Sequence, residues 1–317
     1  MNRIQFQAGL SMKEFQQQYG NEAQCEAALV GSRWPDGWVC PRCKGVRYAS
    51  AYNGRRLWEC LSQSCRYQCS SIVGTIFEKT KLPLTTWFLA IYLVTQSKNA
   101  ISGLGLKRQL GVSYKTVWLI KHKLLETMWL REERRRLDER VEVDDAYLGG
   151  ERSGGKAGAW RAWQDAVCSG RADLRRWPPS VHMRLSPVPG FTKAALEVWA
   201  ASSLMPAAWV VFDGLWCFDG VTQKAASHER HVTGGGRQAA QRPEFRWVNT
   251  MLGNLKTALK GTYHAINHAQ YAHRYLAEFA YRFNRRFDLP AMAPRLLRGR
   301  RYDKTSSSPC VDGLGVK

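Results

Sequence analysis

Two closely spaced cysteine pairs restrict the fold of the N-terminal part of this chain more than any other feature. Cys40 and Cys43 are separated by two residues, and Cys60 and Cys65 follow after a gap of sixteen with four residues between them. Two short pairs can place four thiolates around one ion, as a structural Zn²⁺ site requires. Because the second pair has an unusual spacing, Cys69 is an alternative ligand in place of Cys65 or Cys60. We predict a closed zinc site, and unliganded buried cysteines are the competing interpretation.

The charge of the chain predicts a polyanionic partner. It has 47 Lys and Arg against 26 Asp and Glu, a formal net charge of +21. Phosphate contacts relieve the self-repulsion of such a chain, which favours nucleic acid over a surface that is merely cationic. Nine cysteines, an odd number, indicate a reducing compartment, and the most apolar stretch, 84–94, is too short to span a bilayer. We expect a cytoplasmic, nucleoid-associated protein with no membrane segment.

Helical patterns surround the cysteine-rich region. Residues 11–30 have the pattern of one amphipathic helix, and further patterns follow at 84–97, 102–110 and 113–129. A turn that ends at Ser113, a plausible N-cap, separates the last two and produces a helix-turn-helix pattern. Two helices that simply pack together would look the same. Basic residues of the two regions are candidate DNA contacts: Arg42, Lys44, Arg55, Arg56, Lys107, Arg108 and Lys115.

Three aspartates stand at strand ends in the second half of the chain, where strands and helices alternate. Asp144 and Asp145 end a strand at 140–148, and Asp213 ends a strand at 209–212. Acids at adjacent strand ends can hold two Mg²⁺ ions about 4 Å apart, as two-metal phosphoryl transfer needs. Neighbouring strand residues point to opposite faces, so we expect only one of Asp144 and Asp145 to join Asp213. Turn-capping aspartates are the alternative for each acid alone.

A helix at 245–260 has two stripes. The polar stripe contains Asn249, Gly253, Lys256 and Lys260, and the apolar stripe contains Val248, Leu252, Leu255 and Leu259. We expect the apolar stripe to pack on the sheet and the polar stripe to overlook the edge where the acids end. There Asn249 can offer a neutral oxygen to a metal, and Lys256 and Lys260 can contact phosphate. A solvated polar face is the alternative.

These segments together resemble the zinc-ribbon family of insertion-sequence transposases over roughly residues 15–297. The stretches that carry the resemblance are 74–77, 141–150, 212–214, 247–250, 253–257, 261–264, 275–279 and 282–287. The resemblance implies a multidomain protein, with a zinc ribbon and helix-turn-helix-like helices before an α/β RNase H-like domain with a mixed sheet. We place an N-terminal helix plus the zinc ribbon at 1–80, the helix-turn-helix-like region at 81–130, the catalytic domain at 135–290 and a disordered tail at 291–317.

The resemblance also assigns catalytic positions. The first acid of the family falls on Asp144, the second on Asp213 and the third position on Asn249, with the basic residue at Lys256. Asp145 stands where the family usually has Glu. The implied activity is that of a DNA transposase, a nuclease and strand transferase that uses Mg²⁺ or Mn²⁺. Its implied partners are the double-stranded DNA of the terminal inverted repeats and target, with a homodimer or higher oligomer assembled on that DNA.

A neutral third position leaves one metal short of a negative charge. Glu278, on the following helix, is a candidate auxiliary acid that could supply this charge. The alternative is that Glu278 is a structural acid of its helix.

One segment departs from the family. Between 159 and 177 the family pattern requires the second strand of the sheet, and this chain has no apolar alternation there. The match resumes at 180–190, which suggests two compensating frameshifts, a sequencing error or a damaged central strand. The alternative function is therefore a catalytically inactive or decayed transposase that acts only as a DNA-binding protein.

Overall fold

The structure, a computed structural model, describes residues 9–52, 56–97, 99–147, 165–173, 180–232, 242–263 and 266–298. The chain divides into two compact units. The ribbon unit comprises Met1–Ser97, Gly103–Thr127 and Phe287–Lys317, and the sheet unit comprises Lys98–Ser102 and Met128–Arg286. Within the described ranges we find no helix with the length and hydropathy to cross a lipid bilayer.

The ribbon unit opens with two helices, α1 (Met12–Tyr19) and α2 (Glu22–Arg33). Each begins with a reciprocal capping box, formed by Ser11 with Glu14 and by Asn21 with Gln24. The single helix expected at 11–30 was wrong, because Asn21 starts a new helix directly after Gly20. Three antiparallel strands follow in the order β1 (Tyr48–Tyr52), β2 (Arg56–Cys60) and β3 (Gln68–Ser70).

Three further helices follow the ribbon: α3 (Leu84–Gln96), α4 (Gly103–Leu110) and α5 (Tyr114–Glu132). Gly111 adopts a positive φ of 65°, a conformation that glycine allows at low cost, and ends α4. Ser113 Oγ accepts a hydrogen bond from the Thr116 N–H at 3.2 Å, so Ser113 has the capping contact that its position predicted. The helices and the turn of the expected helix-turn-helix pattern are therefore present.

The sheet unit is built on a five-stranded mixed sheet. Its strands are β4 (Arg140–Tyr147), β5 (Asp165–Asp173), β6 (Ser180–Pro187), β7 (Trp209–Phe212) and β8 (Ser227–Arg230), in the order β6-β5-β4-β7-β8. β4, β5 and β6 pair antiparallel, whereas β4, β7 and β8 pair parallel. The mixed sheet expected of an RNase H-like domain is confirmed.

Helices cover both faces of this sheet. On one face α6 (Lys193–Ser203) and the 3₁₀ helix Trp216–Val221 pack over a core that includes Val141, Val143 and Phe212. On the other, α7 (Arg246–Thr262) and α8 (His268–Asn284) pack over a core that includes Ala146 and Val211. Odd and even positions of β4 thus enter different cores, as the alternation of a strand requires.

The segment that departed from the family pattern contains a strand. β5 pairs with β4 from Val141↔Arg171 to Tyr147↔Asp165, and with β6 from Ala166↔Pro187 to Asp173↔Ser180. The expectation of a missing or damaged second strand was therefore wrong. A strand held by backbone hydrogen bonds on both sides needs no strong pattern of its own, because its neighbours impose the extended conformation. The flanking residues 148–164 and 174–179 lie outside the described residues.

The expected tail from residue 291 was wrong at its start. Met292–Leu297 form a short helix, α9, with Met292, Leu296 and Leu297 buried. These three apolar side chains have a core to enter within the ribbon unit, which is why the segment is ordered. Residues 299–317 lie outside the described residues.

A side-chain amide pairs with the backbone at one edge of the sheet. β6 is one of the two edge strands, and the backbone of Met183 bonds to the amide of Asn284 at the end of α8. Asn284 Oδ1 accepts from the Met183 N–H at 2.8 Å, and Asn284 Nδ2 donates to the Met183 carbonyl at 2.9 Å. One amide group thus takes the place of a sixth strand at this position.

We expect Asn284→Ala to reduce the free energy of unfolding by about 1–3 kcal/mol, because it leaves two backbone groups unpaired. Chemical denaturation measures the change. The matched control is Asn254→Ala on the exposed side of α7, which should change the free energy by less than about 0.5 kcal/mol. Equal effects of the two substitutions would show that the Asn284 amide does not support the edge strand.

Candidate functional site

Four cysteine sulfurs of the ribbon unit converge on one point. The Sγ atoms of Cys40, Cys43, Cys60 and Cys65 all lie within 4.8 Å of one another. Cys40 Sγ lies 3.7 Å from Cys65 Sγ, and Cys43 Sγ lies 3.5 Å from Cys60 Sγ. The quartet expected from the spacing is therefore assembled, and Cys69 is not among the four sulfurs that converge.

Tight turns aim each cysteine pair at this point. After Cys43, Lys44 takes a φ of 65° and its N–H donates to the Cys40 carbonyl at 3.0 Å. After Cys65, Arg66 takes a φ of 43° and its N–H donates to the Ser62 carbonyl at 3.2 Å. This turn accommodates the extra residues between Cys60 and Cys65, so the four-residue gap still allows both sulfurs to reach the quartet.

The thiol pKa values show that the quartet suits a cation. Burial raises the pKa of Cys40, but the backbone N–H groups of Cys43 and Arg42 outweigh it and lower the pKa to about 7. For Cys60, a hydrogen bond from the Ser62 backbone lowers the pKa, but burial and the neighbouring sulfurs raise it to about 12. Burial and the neighbouring sulfurs thus oppose ionisation of all four thiols together, and a bound cation would offset this effect. Four sulfur donors fit Zn²⁺ and leave no open coordination position.

Three carboxylates converge in the same way at one end of the five-stranded sheet. One oxygen each of Asp144, Asp145 and Asp213 lies within 4.8 Å of the other two. We call these three residues the acid cluster. The expectation that only one of Asp144 and Asp145 could join Asp213 was wrong. β7 ends at Phe212, paired with Val143, so Asp213 lies beyond the paired strands, where the alternation of faces no longer separates it from either neighbour.

The backbone around the acid cluster orients two of its carboxylates. Asp144 Oδ1 accepts from the Asp145 N–H at 2.9 Å, and Asp213 Oδ1 accepts from the Leu215 N–H at 3.1 Å. The turn after Asp213 depends on Gly214, whose φ is 92°. The Gly214 carbonyl accepts from Arg230 Nη2 at 3.0 Å, so β8 also supports this turn.

The electrostatics of the acid cluster are those of crowded anions. Burial, then the charges of Asp145 and Asp213, raise the pKa of Asp144 to about 7. Burial, then the charge of Asp213, also raise the pKa of Asp145. The ammonium group of Lys256 opposes both pKa shifts, so this lysine lies close enough to act on the cluster. Hard oxygen donors of this kind fit Mg²⁺ or Mn²⁺ rather than a soft metal.

α7 presents its two stripes as the sequence predicted. Val248, Leu252 and Leu255 are buried in the core beneath it, and Leu259 packs against the same core. On the polar stripe Asn249 is half-buried and Lys256 is exposed. The charge of Lys256 acts to lower the pKa values of two acids of the cluster, and Asn249 lies two helical turns earlier on the same stripe.

Known families match the two regions that contain the cysteine quartet and the acid cluster. Residues 136–284 match the ISXO2-like transposase domain, and residues 20–68 match the transposase zinc-ribbon domain. The chain belongs to the zinc-ribbon insertion-sequence transposases. A protein of transposable element ISH50 from Halobacterium salinarum, described as uncharacterised, is 30% identical over 131 residues, which is 40% of this chain and 42% of that protein. No solved structure matches the chain.

The structure does not bring Glu278 into the acid cluster of the transposase. Glu278 is 1% exposed on α8, and its Oε2 accepts a hydrogen bond from Tyr263 Oη at 2.6 Å. Among the described residues the cluster contains the three aspartates alone. The contacts of Glu278 match its alternative role, a structural acid of its helix. Asp145 supplies the third carboxylate instead. The sequence signal for this was that Asp213 follows the end of a strand, where the alternation of faces no longer separates it from Asp145.

The candidate DNA-binding side chains of the transposase are distributed over both units. In the ribbon unit Arg42, Lys44, Lys107, Arg108 and Lys115 are exposed, and in the sheet unit Lys256 and Lys260 are exposed. Arg55 lies outside the described residues, as does the side chain of Arg56. The charges are therefore free to meet phosphate, and their contacts with DNA remain a prediction.

We expect Cys65→Ala to lower the zinc content per chain and Cys69→Ala to leave it unchanged, because only Cys65 belongs to the sulfur quartet. Elemental analysis of the purified variants measures the difference. Both substitutions remove a cysteine from the same ribbon, so each controls for the other. Loss of zinc from the Cys69 variant alone would move the fourth ligand to Cys69.

We expect Asp144→Asn to raise the free energy of unfolding by about 1–3 kcal/mol at pH 8 in buffer without added divalent metal. The raised pKa means that folding disfavours the charged carboxylate, so stability is lost as pH rises from the unfolded pKa to about 7. Near pH 4 the gain should disappear. Chemical denaturation at both pH values measures it, with the exposed Asp36→Asn as control. A destabilised Asn variant at pH 8 would contradict the crowding of the acids.

Proposed function

We propose that this transposase binds the terminal inverted repeats of its insertion sequence and catalyses metal-dependent DNA cleavage and strand transfer. The convergence of Asp144, Asp145 and Asp213 near the end of β7, with the charge of Lys256 acting on them, is the observation that carries the proposal. Three acids and one cation at a strand end suit chemistry on a phosphodiester. They have no evident structural purpose, since like charges at this distance oppose folding.

Divalent metal is the cofactor that this donor set fits. We propose that Asp144 and Asp213 hold Mg²⁺ or Mn²⁺, with Asp145 as an additional carboxylate and Asn249 as a neutral oxygen donor. When bound, the metal ions supply charge that stabilises the attacking and the leaving oxygen of an in-line displacement. The zinc proposed for the cysteine quartet has a structural role only, because its four sulfurs would fill the coordination shell.

Lys256 and Lys260 are proposed to hold the DNA backbone beside the acids. Both are exposed and stand one turn apart on the polar stripe of α7. An ammonium group there can attract a phosphate, which the three carboxylates would otherwise repel. It also limits where the scissile phosphate can lie, which is the positioning that phosphoryl transfer requires.

The proposed reaction has two displacements at the same site. In the first, a water oxygen attacks the phosphorus at the element end, the bond from phosphorus to the 3′ oxygen breaks, and a 3′-hydroxyl is left. In the second, that 3′-hydroxyl attacks a phosphorus of target DNA, whose own bond to a 3′ oxygen breaks. Each step exchanges one phosphorus–oxygen bond for another, so no further energy source is needed.

Recognition of the element ends is proposed for the ribbon unit. α4 and α5 form the two helices of the helix-turn-helix pattern, and α5 begins with exposed polar residues, including Tyr114 and Lys115. The start of a second helix is the part that such motifs insert into the major groove. Because two ends must be joined to one target, we also propose a homodimer or higher oligomer on the DNA.

A DNA-binding protein without catalysis is the second candidate function. It was suggested by the missing strand at 159–177 and by the neutral Asn249. The structure provides the strand, and Asp145 adds a carboxylate to the acid cluster. Both observations favour an active enzyme over a decayed copy.

Strand transfer with the element's own end sequences tests the proposal. We expect joined product in Mg²⁺ or Mn²⁺, and a loss of about 100-fold or more in Asp213→Asn. Gel-shift binding of the same DNA should be unchanged, because Asp213 is not part of the ribbon unit. The control is Glu197→Gln, an acid of α6 that pairs with Lys224 outside the cluster. Binding without any product from the wild type would establish the second candidate.

A further inference from the structure

A buried carboxylate on β4 holds the N-terminus of α7. Glu142 is 1% exposed and precedes Asp144 by two residues. Its Oε2 accepts hydrogen bonds from the backbone N–H groups of Trp247 and Val248, each at 3.0 Å. The residue before α7 offers no side-chain cap. Glu142 therefore satisfies N–H groups that the start of a helix leaves unpaired, and its charge lies at the positive end of the helix dipole.

Arg140 completes this contact from the same strand. Its Nη1 pairs with Glu142 Oε1 at 2.5 Å, and its Nη2 donates to the Glu244 carbonyl at 2.8 Å. Glu244 belongs to the 3₁₀ turn Pro243–Phe245, which leads directly into α7. Arg140 and Glu142, which we call the clamp, thus hold both the approach to α7 and its first turn. Both oxygens of the buried carboxylate have partners, as its burial requires.

The clamp adds directional hydrogen bonds to a helix that packs on the sheet through apolar side chains. Val248, Met251, Leu252 and Leu255 pack on the sheet through apolar contacts, and such contacts tolerate small slides and rotations. A shift of one residue along a helix turns every side chain by about 100°. That shift would remove Lys256 from the acid cluster while leaving much of the apolar area buried. Hydrogen bonds to two named N–H groups do not permit it.

We propose that Glu142 is a positioning residue for the strand-transfer reaction. It fixes the rotation and register of α7 against β4, so that Asn249 and Lys256 face the acids that the same strand carries. The inference rests on the proposed function, because those two side chains act on DNA or metal only in that reaction. Glu142 itself touches neither, and its effect passes through the helix.

Glu142→Gln tests the proposal, because it keeps an oxygen for the helix N–H groups but loses the charge and turns an N–H₂ group towards Arg140. We expect kcat for strand transfer to fall about 10–100-fold, the scale of a small misplacement, with KM for DNA within about twofold. The matched control is Glu132→Gln. Glu132 is also buried and accepts from Arg285 and Asn284, away from α7. It should lose comparable stability and keep kcat within about twofold.

A double-substitution cycle with Lys256→Ala separates positioning from general destabilisation. If Glu142 acts by placing α7, Glu142→Gln should reduce kcat much less in the Lys256→Ala background than in the wild type. Additive effects, or a kcat loss in Glu132→Gln as large as in Glu142→Gln, would overturn the positioning role while the proposed function stands. A wild type that binds no Mn²⁺ and joins no DNA would overturn the proposed function, and the inference with it.

Discussion

The parallel pairing of β4 with β7 is the constraint on which the acid cluster depends. It brings Asp144 and Asp145 to the same sheet edge as Asp213, which lies almost seventy residues further along the chain. The pairing is supported from both sides, since the apolar residues of these two strands enter two separate cores. The acids themselves contribute nothing to it. Their proximity is imposed by the packing of neighbouring residues, and a raised pKa at Asp144 records the cost.

The cysteine quartet and the acid cluster both combine a rigid frame with unfavourable charge. In the ribbon, tight turns hold four sulfurs so close together that four thiolates would repel one another. In the sheet unit, strand ends do the same with three carboxylates, and Lys256 offsets only part of their repulsion. Because these ligands repel one another when ionised, a bound cation would stabilise each unit relative to its metal-free form.

Much of the architecture could be predicted because it follows from local rules. The cysteine quartet follows from spacing, the turn before α5 from Gly111 and Ser113, and the two stripes of α7 from helical periodicity. Three features could not be predicted in this way. β5 is a strand because β4 and β6 pair with it, Asp145 joins Asp213 because β7 has already ended, and α9 is ordered because a core receives it. In each case the deciding contact lies far away in the sequence.

Two buried glutamates show the same limit at the level of single residues. Glu278 was a candidate metal ligand because it lies on the helix after α7. No role was predicted for Glu142, which lies inside a strand. Their hydrogen bonds indicate the opposite roles. Glu278 accepts from the hydroxyl of Tyr263, whereas Glu142 accepts from the first N–H groups of α7. β4 therefore carries two of the acids and also places the helix that bears Asn249 and Lys256. The positions of the acids and of the helix both depend on β4, so a displacement of β4 moves them together.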